Sequence, residues 1–299
     1  MTKDERWLLE EKYAGDRTSA FEVDRERLAC GEPLGYVIGW QPFLGLKINL
    51  DSHPLIPRPE TEWWTEQLLS SLLHPSPGGG ADPGASAARS SMVIPAPKGS
   101  CAGICEGEAE RGSSQEEPTR PPNPHCRKSL SFLDLCAGSG AIGCAALAKL
   151  PDARVYFGEL DPAHEATIRK NIRENNLDAS RADIRIGDLF EPFGNMTFDV
   201  IAANPPYIPA GRELPASVTG YEPALALTAG KDGLAVIRRI AHELPKRLAP
   251  GGVAWIECDS AHAAAACALF AEQGLAANVL ADQYGTLRIV RAEKQAGNR

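Results

Sequence analysis

From residue 130 onward, short apolar runs alternate with longer helix-compatible stretches, and this alternation constrains the chain more than any other feature. Runs at 130–136, 154–159, 184–186, 198–203 and 253–258 read as buried strands, and 276–281 and 286–291 as two closing strands. Between them, 141–150, 161–176, 232–248 and 261–273 read as helices, with Asp161 as an N-cap and Pro162 at the first helical position. Parallel neighbours need a crossover, and a helix supplies it. Strand–helix order of this kind predicts an α/β fold with a doubly wound, mostly parallel sheet of seven strands. In such sheets ligands bind at the carboxyl ends of the strands.

Four strand ends carry candidate chemistry. After the first stands Asp134-Leu135-Cys136-Ala137-Gly138-Ser139-Gly140, whose glycines permit a tight turn onto a helix N-terminus with free N–H donors. It lacks the third glycine of the dinucleotide pattern, and the carboxylate ahead of it suits a ligand with a cationic amino acid part. After the second stands Glu159, placed to accept the two hydroxyls of a ribose; Asp161 competes for that role but suits a cap better. After the third, Gly187-Asp188-Leu189-Phe190 offers an acceptor for an adenine amino group, with Leu189 or Phe190 to cover a base. After the fourth comes Asn204-Pro205-Pro206-Tyr207. Its two prolines end the strand and stiffen the backbone, leaving the Asn204 amide and nearby carbonyls as fixed acceptors for a planar –NH2 group. Each segment alone is also an ordinary glycine turn, loop acid or proline-rich loop. Four in order along one sheet edge describe a single crevice.

The rest of the chain is less regular. Residues 5–30 read as a short helical lead-in with a Trp7-Leu8-Leu9-Tyr13 stripe. Residues 36–40 and 43–50 read as two strands turning at Gln41-Pro42, with Tyr36, Trp40 and Phe43 as hairpin core. Pro57-Arg58-Pro59-Glu60-Thr61-Glu62 leads into a helix through residue 73, with Thr61 or the acids capping it and Arg58, Glu60 and Glu62 open to either a surface ion-pair cluster or active-site support. Residues 74–128, rich in Pro, Gly and Ser, read as a disordered insertion with too little apolar surface to order itself. The expected division is therefore a lead-in at 1–30, a linking segment at 31–73, the insertion, and a catalytic domain at 129–299. Cys101, Cys105, His125 and Cys126 lack zinc-ligand spacing, so no metal is expected, and Cys136, Cys144 and Cys258 read as reduced core residues. A net charge of -8 argues against a generic nucleic-acid backbone binder, and no apolar run reaches membrane-spanning length. The first residues show neither a secretory core nor a transit-peptide composition.

The four strand-end segments resemble class I S-adenosylmethionine-dependent methyltransferases. Gly31-Glu32-Pro33-Leu34, Arg58-Pro59-Glu60-Thr61-Glu62, Asn204-Pro205-Pro206-Tyr207, Tyr221-Glu222-Pro223 and Asp282-x-x-Gly285-x-x-Arg288 narrow the resemblance to the HemK/PrmC family of release factor N5-glutamine methyltransferases. That resemblance implies S-adenosylmethionine as cofactor, a peptide chain release factor as partner, and methylation of its Gly-Gly-Gln glutamine. It implies cofactor contacts at Asp134, Cys136, Ala137, Gly138, Ser139, Gly140, Glu159, Asp188, Leu189 and Asn204. It assigns substrate binding and catalysis to Asn204, Pro205, Pro206 and Tyr207, with Tyr207 against the flat amide, and support to Arg58, Glu60, Thr61 and Glu222. The chain departs from the family in its short lead-in, its insertion, Glu159 where an Asp is usual, and Glu257-Cys258-Asp259 where Glu-Ile-Gly is usual. These departures suggest an organellar or eukaryotic-type relative, a soluble intracellular protein of mitochondrion or cytoplasm. An exocyclic-amine nucleic-acid methyltransferase and a catalytically silent cofactor binder stay open as alternatives, the first because the same tetrapeptide serves a flipped base.

Overall fold

The computed structural model describes residues 1–74 and 129–296, so the expected disordered insertion, with Cys101, Cys105, His125 and Cys126, lies outside the described residues beyond His74. The lead-in is two helices, α1 (Lys3–Tyr13) and α2 (Ser19–Ala29), each opened by a threonine whose hydroxyl accepts from a first-turn amide: Thr2 from Glu5 N and Thr18 from Phe21 N. A third short helix, α3 (Leu34–Ile38), packs Val37 and Ile38 against Leu8, Leu9 and Phe21. Asp24 ties α2 to α1 by accepting from Lys12 and Tyr13, and it also accepts from Arg27 on its own helix, while Lys12 donates on to the Val37 carbonyl of α3. Burial pushes the Asp24 carboxyl up, but those bonds outweigh it and hold the group below its ordinary value.

The hairpin corrects the sequence reading. Residues 36–38 are helical, because Pro33 opens α3, Gly39 ends it at φ 96°, and Gly35 to Ile38 are buried consecutively rather than alternately. The strands are β1 (Trp40–Phe43) and β2 (Leu46–Asn49), and the turn is Leu44-Gly45, both at positive φ (48° and 81°), as a two-residue hairpin loop requires. Pro42 lies within β1 opposite Lys47. Tyr36 and Phe43 are core residues as expected. Helix α4 (Pro59–Leu73) follows, with Pro59 at its first position and no side-chain cap.

Then the strand–helix alternation runs as β3 (Leu130–Leu135), α5 (Ala141–Lys149), β4 (Ala153–Glu159), α6 (His164–Glu174), β5 (Ala182–Ile186) and β6 (Phe198–Ala203). Two short helices, α7 (Ala216–Thr219) and α8 (Ala224–Leu227), precede α9 (Ala235–Arg247), β7 (Leu248–Glu257), α10 (Ala263–Glu272), β8 (Ala276–Ala281) and β9 (Leu287–Glu293). Three bounds of this alternation differ from expectation by three residues or more: α9 starts at Ala235, β7 begins already at Leu248, and α6 opens at His164. Asp161 accepts from Ala163 N and so fixes the turn before α6 instead of capping the helix.

The seven strands pair in the order β5-β4-β3-β6-β7-β9-β8, parallel except at β9, which runs antiparallel to both its neighbours. The chain winds outward from β3 through β4 to β5, then returns to lay β6 on the other side of β3. This puts the topological switch point, where a crevice opens, between β3 and β6. Strand periodicity divides the core. Phe132, Val155, Phe157, Val200 and Ala202 face α4, α5, α6 and the hairpin, while Leu133, Leu135, Ile201 and Ala203 face α9 and α10. The free edge of β2 is closed by side chains rather than by a strand. Asn171 of α6 and Asn175 at its C-cap, one turn apart, each accept from a β2 amide (Asn49 N 2.7 Å, Lys47 N 2.9 Å) and donate back to that residue's carbonyl.

Candidate active site

A cavity of about 280 Å³ opens at the carboxyl ends of β3, β4, β5 and β6. Its floor is the turn from β3 into α5. Cys136, Gly138 and Gly140 hold positive φ there (61°, 54° and 76°), and Cys136 does so without a glycine's freedom. Cys136, Ala137, Gly138 and Ser139 line the cavity; Gly140 instead caps α5. Gly138 N donates to Glu159 Oε2 at 2.7 Å, clipping the turn to the end of β4. Glu159 is 7% exposed, and its Oε1 accepts from Asp161 N. An ionised carboxylate accepts at about four lone-pair positions, so Glu159 keeps acceptor capacity for the cavity.

Asp134 departs from its expected part. It is fully buried and does not line the cavity. Its Oδ2 accepts from Gly143 N at 2.8 Å, tying β3 to α5, while Oδ1 has no partner. Burial pushes its carboxyl well above the ordinary value, and the side chain does not reach the cavity where a cationic ligand part would lie. Asp188 and Leu189 do line the cavity, Leu189 at φ 48°. Asp188 accepts from Arg239 of α9 at 2.8 Å, and Arg239 is itself a lining residue. Phe190, expected as a base cover, is wholly in the core.

At the end of β6, Asn204 and Pro206 line the cavity and Pro205 is buried behind them. Tyr207 is absent from the lining: its hydroxyl donates to Glu257 Oε1 at 3.1 Å, and burial with the Glu257 charge raises its phenol well above the ordinary value. The expected stacking of Tyr207 on a bound amide is therefore not prepared. Asn204 Nδ2 donates to Thr61 Oγ1 at 3.1 Å, and Asn204 Oδ1 is buried with no partner. Thr61, expected to cap α4, donates instead to Glu257 Oε2 at 2.7 Å, the oxygen that also accepts from Trp64 Nε1. Glu257 ends β7 and is 1% exposed; burial raises its carboxyl despite those three donors.

The roof comes from segments far apart in sequence. Leu55 and Pro57 line it from before α4, and Pro223, Leu225 and Ala226 from α8 and its approach. Arg58 Nη2 donates to both oxygens of the buried Glu222 (2.5 and 2.8 Å), joining the two roof segments. The surface cluster considered for Arg58, Glu60 and Glu62 does not form: Arg58 pairs with Glu222, Glu62 accepts from Leu44 N in the hairpin turn, and Glu60 does not line the cavity. Sequence reasoning missed Leu55, Pro57, Leu160, His164 and Arg239 as lining residues, and the part played by Trp64 and Glu257. Only Glu257 left a signal, as an acid ending an otherwise apolar strand.

With this geometry in view, comparison with known proteins is decisive. Residues 123–219 match the methyltransferase small domain. The release factor glutamine methyltransferase of Moorella thermoacetica is 31% identical over 282 residues, covering 94% of this chain and 77% of that one. The chain belongs to the release factor glutamine methyltransferase family. Its counterpart from Chlamydia trachomatis serovar L2 is 29% identical over 89% of this chain and 73% of its own. The ribosomal protein uL3 glutamine methyltransferase of Bradyrhizobium diazoefficiens is 36% identical over 147 residues, covering 49% of this chain and 43% of its own. The family's methyl donor is S-adenosylmethionine, and the lining fits it: glycine backbone at Gly138, acceptors at Glu159 and Asp188, and apolar cover from Leu160, Leu189 and Leu225. Among the described residues no helix is long and apolar enough to cross a membrane.

Proposed function

We propose that this protein transfers a methyl group from S-adenosylmethionine to the side-chain amide nitrogen of a glutamine, the one in the Gly-Gly-Gln segment of a peptide chain release factor. The observation that carries this reading is Asn204 Oδ1, a buried acceptor left without a partner beside a cavity that suits the donor. Leaving such an atom unpaired costs on the order of 1–3 kcal/mol, and a ligand N–H relieves it.

When bound, S-adenosylmethionine supplies a methyl on a sulfonium centre, which is already activated for transfer. The protein's work is then alignment and exclusion of water. Glu159 accepts from the ribose hydroxyls, Asp188 from the adenine amino group, and Leu189 packs on the base. The Gly138 turn allows close backbone approach beneath. Asn204 Oδ1 and the Pro205 carbonyl accept the two hydrogens of the glutamine –NH2, holding its nitrogen toward the transferred carbon. An amide nitrogen is a weak nucleophile because its lone pair is delocalised. Two acceptors on its hydrogens would favour the positive charge that builds on the nitrogen as it takes the methyl, the sulfonium's S–CH3 bond breaking to leave a neutral thioether, and the surplus proton would then be released to solvent. Arg58 and Glu222 keep the roof in place over the glutamine.

Mass spectrometry of a release factor co-expressed with the protein tests this, with one added methyl expected on the Gly-Gly-Gln glutamine. Asn204→Ala is expected to lower turnover at least about a hundredfold while cofactor affinity measured by calorimetry stays near wild type. Unmodified glutamine beside the wild-type protein, or labelled methyl recovered in nucleic acid, overturns the reading. The uL3 relative shares the glutamine chemistry, so uL3 is the comparison substrate for the same assay.

A further inference from the structure

We infer that Thr61 is a positioning residue that sets which way the Asn204 carboxamide faces, and that Trp64 and Glu257 give Thr61 the polarity to do so. This rests on the proposed role of Asn204 as acceptor. A carboxamide presents an oxygen and an –NH2 of nearly equal shape, and only the oxygen can accept from a substrate –NH2. Something must forbid the flipped state.

The hydrogen-bond chain forbids it one donor at a time. The indole N–H of Trp64 can only donate, and it lies 2.7 Å from Glu257 Oε2. That oxygen accepts from the indole, and the other Glu257 oxygen accepts from Tyr207, so donors face the group on both sides. Thr61 Oγ1, also 2.7 Å from Oε2, spends its single hydrogen there. Toward Asn204 the Thr61 hydroxyl then has only lone pairs, so at 3.1 Å it accepts from Nδ2 and repels Oδ1. The remaining Glu257 oxygen accepts from Tyr207, the last residue of the Asn-Pro-Pro-Tyr segment, so the same carboxylate holds both ends of that loop. Trp64 and Glu257 are buried, and Thr61 is 3% exposed at the cavity wall, so its hydroxyl is committed mainly to these protein partners. Asn204 Oδ1 is left as the unpaired atom beside the cavity.

The test compares Thr61→Val, which keeps shape and loses the hydroxyl, with Thr61→Ser, which keeps the hydroxyl. Two readouts are used. The first is proton exchange of the Asn204 side-chain –NH2 in protein labelled with 15N-asparagine and free of cofactor, the signal being assigned by its loss in Asn204→Ala. Wild type and T61S are expected to show a protected pair, and T61V exchange faster by about tenfold. The second is steady-state methylation of a Gly-Gly-Gln release-factor domain. T61V is expected to lower kcat by about tenfold or more with cofactor Kd unchanged, and T61S to restore it. Thr61→Ala, which cannot clash, carries both measurements should T61V not fold. Equal protection of the pair in T61V and wild type, or equal losses in T61V and T61S, overturns the inference. Absence of any methylation by wild type overturns the proposed function instead, and the exchange experiment still decides the part of Thr61.

Discussion

Two buried carboxylates, Asp134 and Glu257, end up with opposite work because of what faces them. Glu257 meets three donors and organises the loop that carries Asn204. Asp134 meets one backbone amide and is left with an orphan oxygen, a setting that favours the protonated acid. The consequence for stability has a definite sign. An acid whose folded pKa is raised holds its proton in the native state after the unfolded chain has lost it. That contribution is complete below the unfolded carboxylate range, about pH 4, and is lost as pH rises through the folded value. Glu257 shifts in the same direction, so the informative quantity is a difference. Urea unfolding across neutral pH is expected to show wild type losing stability relative to Asp134→Asn as pH rises; parallel pH profiles would refute the assignment. Asp134 was legible as an acid before a glycine turn. Its burial was not, because burial depends on α5 closing over β3.

Helix α5 depends on a glycine for its seat. In most helix interiors a Gly→Ala change stabilises by about 0.5–1 kcal/mol. At Gly143 an added Cβ would lie 2.2 Å from the Phe157 ring of β4, and both residues are buried, so the ring or the helix must shift. Gly143→Ala is therefore expected to destabilise by about 1–3 kcal/mol, the usual range for overpacking, as measured by the denaturation midpoint. A raised midpoint would show that the helix can shift. The adjoining elements were mostly readable from periodicity: β6 and β8 fall on the expected residues, since an apolar run bounded by turn residues has few other solutions. The hairpin was misread for a local reason. Pro42 looked like the turn, yet it is tolerated at an exposed strand position, while Leu44 takes the positive φ that glycine would have advertised.

The described residues on either side of 75–128 belong to one compact unit, so the linking segment and the sheet share a core. Trp64 of α4 packs on Trp255 of β7, with ring centroids 6.5 Å apart, and Thr61 reaches the end of that strand. A chain beginning at residue 129 is thus expected to lose its fold as well as its activity, because Trp255, Glu257 and the α4 face of the core become exposed. Soluble yield and thermal melting of the truncated protein check this; a melting transition equal to that of the full chain would refute it. The succession of strands and helices, the glycine turn, Glu159, Asp188 and the Asn-Pro-Pro-Tyr loop were determined by the sequence itself, since each follows from local periodicity or from the stereochemistry of Gly and Pro. What only the tertiary structure decided is how those strand ends are equipped. Thr61 lies 143 residues from Asn204 and 196 from Glu257, and Arg58 lies 164 from Glu222. No local pattern encodes such partners. They meet because the sheet returns across β3 and α4 packs over β7, and it is burial there that turns ordinary polar residues into a directed hydrogen-bond chain.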